Sequence, residues 1–437
     1  MSDRIELPYH STSTDAAHSV PPKGELGPLF VAAIAAFATY FCMHGFRKPF
    51  TAGTFANEQW LHLGLKSTLV VAQLLGYMAA KFIGIKVISE MPARNRGRAI
   101  IGLIVMAELA LLGFAILPIP LKIIAMVLNG LPLGMVFGLV LAYLEGRRQT
   151  EALSAALCAS FIMASGVVKS IGQWLIVSGG ISEYWMPAIV GCLFFAPLFA
   201  STWLLSKTPP PTRQDIAMRA ARREMTSAER RNFLVAFWPG LTLLIIVYSA
   251  VTIMRTARDD FAVEIWRDMG MAEMPSVFAI SEFWVAILVT GFHAFMIWIP
   301  NNISALRLTI TAMCLAFALV IIASIGQSAG WVSAMTFMVL CGIGLYVPYV
   351  AFHTTIFERL VAISDRPSNL GFLMYLADAI GYLGYSTVLI FRNTFPNPNV
   401  ILPQYLGTLI CGSTLSVIAL FLAVAYFMRR IAPNSRQ

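Results

Sequence analysis

Charged residues are scarce in this sequence. Only 12% of its 437 residues are Asp, Glu, Lys or Arg, whereas 58% are hydrophobic, and the mean hydropathy is +0.74. Soluble globular proteins carry about 25% charged and about 45–50% apolar residues. The composition therefore excludes a soluble enzyme and a disordered chain, and it predicts an all-α membrane protein embedded in a lipid bilayer.

Cysteines are also few, and the common catalytic motifs are missing. The six cysteines are scattered through apolar segments without CxxC or metal-ligand spacing, which argues against a disulfide framework and against a metal site. HExxH, GxSxG and a glycine-rich phosphate loop ending in Lys do not occur. We therefore expect no enzymatic activity and no cofactor. The net charge of +9 does not indicate nucleic-acid binding, because the basic residues lie mostly in gaps between apolar runs.

Long apolar runs dominate the rest of the chain. A helix needs about 20 apolar residues to cross a bilayer, and twelve segments meet this length. We number these predicted spans 1 to 12: 28–56, 66–90, 99–118, 120–145, 151–178, 184–206, 232–256, 275–299, 305–326, 331–358, 368–392 and 402–428.

One long polar stretch, 207–231, separates spans 6 and 7. It predicts a cytoplasmic linker between two six-helix bundles, 28–206 and 232–428, with a disordered cytoplasmic tail at 1–27 and a second tail at 429–437. Most Lys and Arg residues outside the spans fall on the side that holds both termini. The positive-inside rule therefore places both termini in the cytoplasm.

The two predicted bundles share an internal repeat. Tyr40 and Arg47 in span 1 recur as Tyr248 and Arg255 in span 7, and both offsets are 208 residues. Further matches at nearly the same offset join spans 2 and 8 and spans 5 and 11. Repetition of a six-helix unit indicates gene duplication. Two pseudo-symmetric six-helix bundles with a site near the midplane are typical of the major facilitator architecture.

Ionisable residues inside the predicted spans point to a central chamber. Each costs about 2.5–3.5 kcal/mol at a helix centre, so it must face a cavity or a partner. These residues are Arg47, Lys81, Lys169, Arg255, Glu282 and Asp378. Polar aromatic residues accompany them at helical spacing, notably Tyr40, His44, Tyr248, Tyr349 and His353. We predict that spans 1, 2, 5, 7, 8, 10 and 11 line the chamber. The cations and the polar aromatic residues are expected to bind substrate, and Glu282 and Asp378 to serve in ion coupling or in charge pairs between helices.

The predicted chamber has an excess of positive charge. Four cations against two carboxylates leave a net charge of +2, which favours an anionic substrate. Arg47 and Arg255 occupy related positions in the two bundles and could contact one phosphate or carboxylate from both sides. The alternative for both arginines is anchoring at the outer headgroups, because each lies late in its span.

Two alternatives remain for the other charged residues. Lys81 with Asp378, and Lys169 with Glu282, could form structural pairs between helices or take part in ion coupling. His44 and His353 are more often satisfied polar residues than proton carriers.

A charged turn follows span 2. Glu90, Arg94 and Arg98 occupy the position of the gating loop of major facilitator proteins, although a positive-inside anchor explains the arginines nearly as well.

These residues resemble the organophosphate:phosphate antiporter family, whose familiar member is the glycerol-3-phosphate transporter. The likeness lies in Arg47-Lys48-Pro49-Phe50, in residues 76–82 and in Leu128-Asn129-Gly130. It implies that Arg47 and Arg255 bind a substrate phosphate, with Lys81 as a further cation. The family's histidine in span 5 is not matched, and Lys169 lies near that position.

A closer likeness is to bacterial major facilitator proteins catalogued only as a domain of unknown function. The shared segments are 84–90 and 143–148. This likeness implies a transporter in the bacterial inner membrane and names no substrate.

Three functions follow as expectations. The first is a secondary transporter that exchanges a small organic anion, such as a phosphorylated metabolite, by alternating access. The second is a proton-coupled symporter in which Asp378 or Glu282 is protonated. The third is a non-transporting sensor that binds ligand and reports it to a partner. A monomer is compatible with each of them.

Overall fold

The computed structural model describes residues 26–56, 58–89, 91–144, 150–209, 227–271, 274–296, 302–357, 360, 370–394 and 401–431. Twelve long α-helices account for most of these residues. They are α1 Leu26–Arg47, α2 Leu65–Ser89, α3 Ala93–Ile116, α4 Ile119–Leu144, α5 Thr150–Val177, α6 Met186–Ser206, α7 Ser227–Asp260, α8 Ser276–Met296, α9 Asn302–Ser328, α10 Ala334–Ala351, α11 Leu370–Thr394 and α12 Ile401–Ile431.

Smaller elements connect some of the long helices. A 3₁₀ turn, Pro49–Ala52, follows α1, and two short antiparallel strands, β1 Gln59–Trp60 and β2 Leu63–Gly64, precede α2. A short helix, Ala262–Asp268, follows α7, and a π-helical turn, Phe352–Ile356, continues α10. We call the end of the molecule where α1 stops and α2 starts the hairpin end.

The surface of the helices is suited to a bilayer. Ten of the long helices in the described part of the chain are long and apolar enough to cross a membrane. Tryptophans are exposed at both ends, which is typical of the membrane interfaces. Trp174, Trp185 and Trp331 lie at the hairpin end, and Trp203 and Trp238 lie towards the opposite end. The protein is an integral membrane protein, as its composition predicts.

The helix packing repeats itself after six helices. In the first half α1 packs against α4, α5 and α6, α2 against α4, and α3 against α4 and α6. Each of these pairs has a counterpart six helices later. In the second half α7 packs against α10, α11 and α12, α8 against α10, and α9 against α10 and α12. Between the halves α5 packs against α8 and α2 against α11, which the same shift relates. The structure is therefore two pseudo-symmetric six-helix bundles, which confirms the predicted fold.

Glycine allows two helices of the first bundle to approach closely. A Cβ atom added at Gly76 of α2 would lie 2.0 Å from the Val127 carbonyl oxygen of α4, and one at Gly130 would lie 2.1 Å from the Gln73 carbonyl oxygen. No side chain fits at either contact. Small residues at such positions allow membrane helices to pack backbone against backbone.

Some predicted boundaries were wrong. Span 1 was predicted to run to residue 56, but α1 ends at Arg47, because Pro49 restricts the residue before it and starts a 3₁₀ turn. Span 7 was predicted to end at 256, but α7 continues to Asp260. The charged residues at its end are buried instead of reaching water.

Several predictions concern residues outside the described ranges. These are Glu90, nearly all of the tail 1–27, most of the linker 207–231 and most of the tail 429–437.

Candidate functional site

A cavity lies between the two bundles. Its lining comes from α1, α2, α4 and α5 of the first bundle and from α7, α10 and α11 of the second, together with the turns after α1 and α10. Among the described lining residues none belongs to α3, α6, α9 or α12. The lining residues are Tyr40, His44, Arg47, Lys48, Tyr77, Lys81, Phe137, Cys158, Phe161, Ser165, Arg255, Thr256, Asp259, Tyr346, Tyr349, His353, Asp378 and Tyr382.

The predicted set of helices that line the cavity needs two corrections. Span 8 was expected to line the cavity, but the side chain of Glu282 in α8 faces α7 instead. Conversely α4, which has no polar stripe, reaches the cavity through Phe137. A search for polar residues could not find a helix that contributes only an apolar ring.

Arg47 is the last residue of α1, and a polar network holds this helix end. The amide of Gln73 donates to the Arg47 carbonyl oxygen at 2.9 Å and to the side-chain oxygen of Asn129 at 2.8 Å. Asn129 in turn donates to the Phe46 carbonyl oxygen at 3.1 Å. Carbonyls at a helix end lack intrahelical partners, so these bonds satisfy two of them and fix the position of Arg47. The guanidinium lies 4.1 Å from the centre of the Tyr77 ring.

Arg255 has a similar setting in the second bundle. Its guanidinium lies 4.1 Å from the centre of the Tyr349 ring and 5.7 Å from that of Tyr346. Its one side-chain hydrogen bond among the described residues is a long one, 3.4 Å, from Nη2 to the hydroxyl of Thr256. Stacking on an aromatic face leaves the donor edge of a guanidinium available.

Neither arginine has a carboxylate partner among the described residues. Arg47 and Arg255 are each only 8% exposed, and the Nε atom of each is buried without a hydrogen-bond partner. A buried charge without a partner is costly and is usually compensated by a ligand or an ion. These two groups are the strongest indication of a binding site.

The other charged groups of the cavity are paired. Lys81 of α2 forms an ion pair with Asp378 of α11, and the Tyr248 hydroxyl donates to the other oxygen of Asp378. The structure thus contains the Lys81–Asp378 pair that the sequence predicts, and this pair joins the two bundles. Tyr248 was predicted to bind substrate, but it is 1% exposed and lies behind Asp378, outside the cavity lining.

The predicted pair of Lys169 with Glu282 is wrong. Lys169 forms an ion pair with Asp259 and contacts the Ser165 hydroxyl at 2.6 Å. Glu282 instead accepts from Nη1 of Arg258 at 2.5 Å. The error follows from the predicted end of span 7, which left Arg258 and Asp259 outside the membrane. Lys169 is buried beside the cavity and does not line it.

Ion pairs between the bundles also close the hairpin end. Nζ of Lys48 lies 2.7 Å from Asp260 and also contacts Asp259, and Nζ of Lys66 lies 2.6 Å from Glu264. Burial lowers the pKa of Lys48, but the two aspartates outweigh this effect and raise it above its ordinary value. Lys48 is therefore charged, and the lysines of the first bundle hold the end of α7 and the short helix after it.

The net charge in and beside the cavity is positive, as predicted, although the residues that contribute to it differ from those predicted. In and beside the cavity, six cations stand against four carboxylates. The cations are Arg47, Lys48, Lys81, Lys169, Arg255 and Arg258, and the carboxylates are Asp259, Asp260, Glu282 and Asp378. Two positive charges remain, as the sequence predicts, and they belong to Arg47 and Arg255, which form no ion pair within the described part of the chain.

The remaining predicted site residues fall into two groups. Tyr40, His44, Tyr349 and His353 line the cavity. Each histidine has its Nδ1 within 2.9 Å of the carbonyl oxygen four residues before it, a bond typical of a satisfied polar residue. Arg94 and Arg98 are exposed at the start of α3, away from the cavity.

Sequence reasoning assigned no site role to Lys48, Asp259 or the rings of Phe137 and Phe161. One signal could have revealed Asp259. The run Arg255 to Asp260 contains three further charges within five residues and is followed by the apolar Phe261 and Ala262. Charges enclosed by apolar residues on both sides indicate a buried network.

The thiol of Cys158 offers a test of the cavity's charge. With the other five cysteines replaced by alanine, we expect an anionic methanethiosulfonate carrying a sulfonate to modify Cys158 at least about tenfold faster than one carrying a trimethylammonium. Two excess positive charges in a narrow cleft concentrate anions. Mass spectrometry of the detergent-solubilised protein gives the rates, and Cys158→Ser is the control. Equal rates would contradict the net positive charge.

Comparisons with known proteins agree with this fold. A family model described as a family of unknown function (DUF5690) matches residues 49–430. No curated protein sequence matches the chain.

Solved structures resemble the whole chain at low sequence identity. The nucleoside transporter NupG matches with a TM-score of 0.60 at 12% identity, over 92% of this chain and 99% of that one. A D-xylose-proton symporter matches with a TM-score of 0.59 at 14% identity, over 90% and 96%. The POT family transporter PepTSo matches with a TM-score of 0.61 at 12% identity, over 94% and 99%. These matches establish the major facilitator fold.

Proposed function

Since the chain belongs to DUF5690, a family whose description names no function, we propose its function from the cavity: secondary active transport of a small organic anion by alternating access. The observation that carries the proposal is a pair of buried arginines, one from each bundle, that have no carboxylate partner among the described residues. A ligand that contacts both arginines senses the relative position of the bundles. Transporters of this architecture work by rocking one bundle against the other around such a site.

Charge supports an anion as the substrate. A net charge of +2 on buried side chains is unfavourable when no ligand is bound, and a dianion would neutralise it. Arginine also suits oxyanions, because its planar fork forms two parallel hydrogen bonds to a carboxylate or phosphate. Exchange of anions follows if the empty, charged site resists reorientation. NupG and the symporter are described as carrying nucleosides and xylose, and they do not favour phosphate exchange in particular.

The closed hairpin end fits alternating access. The ion pairs of Lys48 and Lys66 join the bundles at this end, and they must break for the cavity to open there. With both termini in the cytoplasm, as the distribution of basic residues predicts, this end faces outwards. The substrate would then bind from the outside after these pairs separate.

Proton symport is a second candidate, and one observation favours it. Asp378 lines the cavity, where Lys81 and Tyr248 hold it between the bundles. Protonation of Asp378 would release Lys81 and weaken a contact between the halves. One of the matched structures is described as a proton symporter.

Transport by purified protein in liposomes tests the proposal. The liposomes are loaded with phosphate or with a mixture of small carboxylates. Labelled phosphate, phosphorylated metabolites or carboxylates are then added outside, and protein-free liposomes are the control. Uptake that requires internal anion and survives a protonophore supports exchange. Uptake that the protonophore abolishes supports symport. Binding of these anions without uptake under any gradient would overturn transport and favour a sensor.

A further inference from the structure

Half of the cavity lining consists of rings. Nine of the eighteen lining residues are aromatic, counting the two histidines. A cavity built only for a small hydrated anion would need donors and cations, and it would gain little from rings. The arrangement of the rings in the cavity lining therefore indicates what the substrate carries besides its anionic group.

Three rings form a corner where the two bundles meet. Phe161 of α5 is edge-on to Tyr349 of α10, with ring centres 5.9 Å apart and planes at 87°. Its centre lies 6.2 Å from that of Tyr346, with planes at 43°. Arg255 is stacked over the same two tyrosines. An apolar corner thus lies beside a cation that has no carboxylate partner among the residues described.

Phe161 and Phe137 are unusual among the lining rings. Both are only partly buried, whereas the five lining tyrosines are buried. Neither phenylalanine side chain has a polar atom. Both nevertheless border a cavity that also contains Arg47 and Arg255, which have no carboxylate partner among the described residues. Exposed apolar surface in a binding pocket gains free energy when an apolar part of a ligand covers it.

We propose that the transported anion carries an aromatic ring, which packs into the corner of Phe161, Tyr346 and Tyr349 while its acidic group binds Arg255. This inference rests on the proposed function and narrows its substrate to aryl phosphates or aromatic carboxylates. Ring faces and edges attract one another in offset and edge-to-face geometry. A ligand ring beside Phe161 would extend the arrangement that the three protein rings already form.

Two pairs of probes test the inference on the purified full-length protein. Phenyl phosphate and glycerol 3-phosphate are both phosphate monoesters, but only the first carries an aromatic ring. Benzoate and lactate are both carboxylates, and again only the first is aromatic. Isothermal titration calorimetry measures each Kd. We expect the aromatic member of at least one pair to bind about tenfold or more tighter than its partner. Equal affinities within both pairs would overturn the aromatic substrate and leave the anion transporter intact.

A variant separates recognition of the ring from recognition of the charge. Phe161→Leu should weaken the aromatic probe about tenfold and change the matched polar probe less than twofold. Phe199→Leu, on the exposed face of α6, is the matched control and should change neither. Equal weakening of both probes by Phe161→Leu would assign Phe161 a structural role and overturn the inference. If none of the four probes binds, the proposed anion site itself fails, and the inference falls with it.

Discussion

Replacing Arg255 by alanine is expected to lower anion uptake about 100-fold, and replacing Arg47 should have a similar effect. Loss of a charge-assisted contact in a desolvated site costs about 2–5 kcal/mol, and each 1.4 kcal/mol is about a factor of ten. Lysine at either position keeps the charge and loses the planar fork, so an intermediate loss of about tenfold is expected. Initial rates of uptake into liposomes measure the effect.

The stability of these variants distinguishes a binding role from a structural one. Neither arginine pairs with a carboxylate in the described part of the chain, so alanine leaves no counter-charge behind. The Tm of both variants should therefore stay at or above that of the wild type. Arg231→Ala, at an exposed position near the start of α7, is the matched control and should transport normally. Wild-type uptake by both Arg47→Ala and Arg255→Ala would exclude them as substrate ligands.

The opposite result is expected for Glu282. Glu282→Gln removes the partner of Arg258, whose side chain is 1% exposed, and leaves a buried guanidinium without its carboxylate. Breaking such a pair typically costs about 3–5 kcal/mol. We expect a loss of this size in the free energy of unfolding, measured by denaturant titration in detergent.

A double variant separates loss of the pair from loss of the carboxylate. Arg258→Met combined with Glu282→Met removes both charges and should recover most of the lost stability, because a buried pair often exchanges for apolar residues at little cost. Asp268→Asn serves as the exposed control. Its carboxylate lies 3.9 Å from the half-exposed Arg267, and a change below about 1 kcal/mol is expected. Undiminished stability of Glu282→Gln would show that Arg258 finds its charge partner elsewhere.

The two sets of variants separate two kinds of buried charge. Arg258 is a structural cation, because its carboxylate lies in the same bundle and a backbone oxygen of Met338 accepts a second bond at 2.8 Å. Arg47 and Arg255 have the same residue type and are also buried, but they face the cavity and have no carboxylate partner among the described residues. Arg255 and Arg258 are the same residue type and lie three residues apart in α7, so their partners distinguish them.

Much of the site could be predicted because membrane insertion is so restrictive. A charge in an apolar span must face protein or water, and this rule alone brings Arg47, Lys81, Arg255 and Asp378 to the cavity. The pair of Lys81 with Asp378 followed from the same rule. Lys169 and Glu282 were assigned to each other wrongly, because a hydropathy boundary four residues too early left out Arg258 and Asp259.

Local pattern by itself determined the class of this protein: a membrane protein of twelve helices in two related bundles, with a surplus of buried positive charge. These properties depend on composition, helix length and repetition along the chain, which need no knowledge of contacts. Tertiary structure decided which cations are neutralised and which are left for a ligand. It also decided that Phe137 and Phe161 line the cavity and that Tyr248 lies behind Asp378. Ion pairs join residues up to about 300 positions apart, as with Lys81 and Asp378. Which charges pair depends on the rotation of each helix about its axis and on competition among neighbouring charges. The spacing of residues within one helix encodes neither the rotation nor the competition.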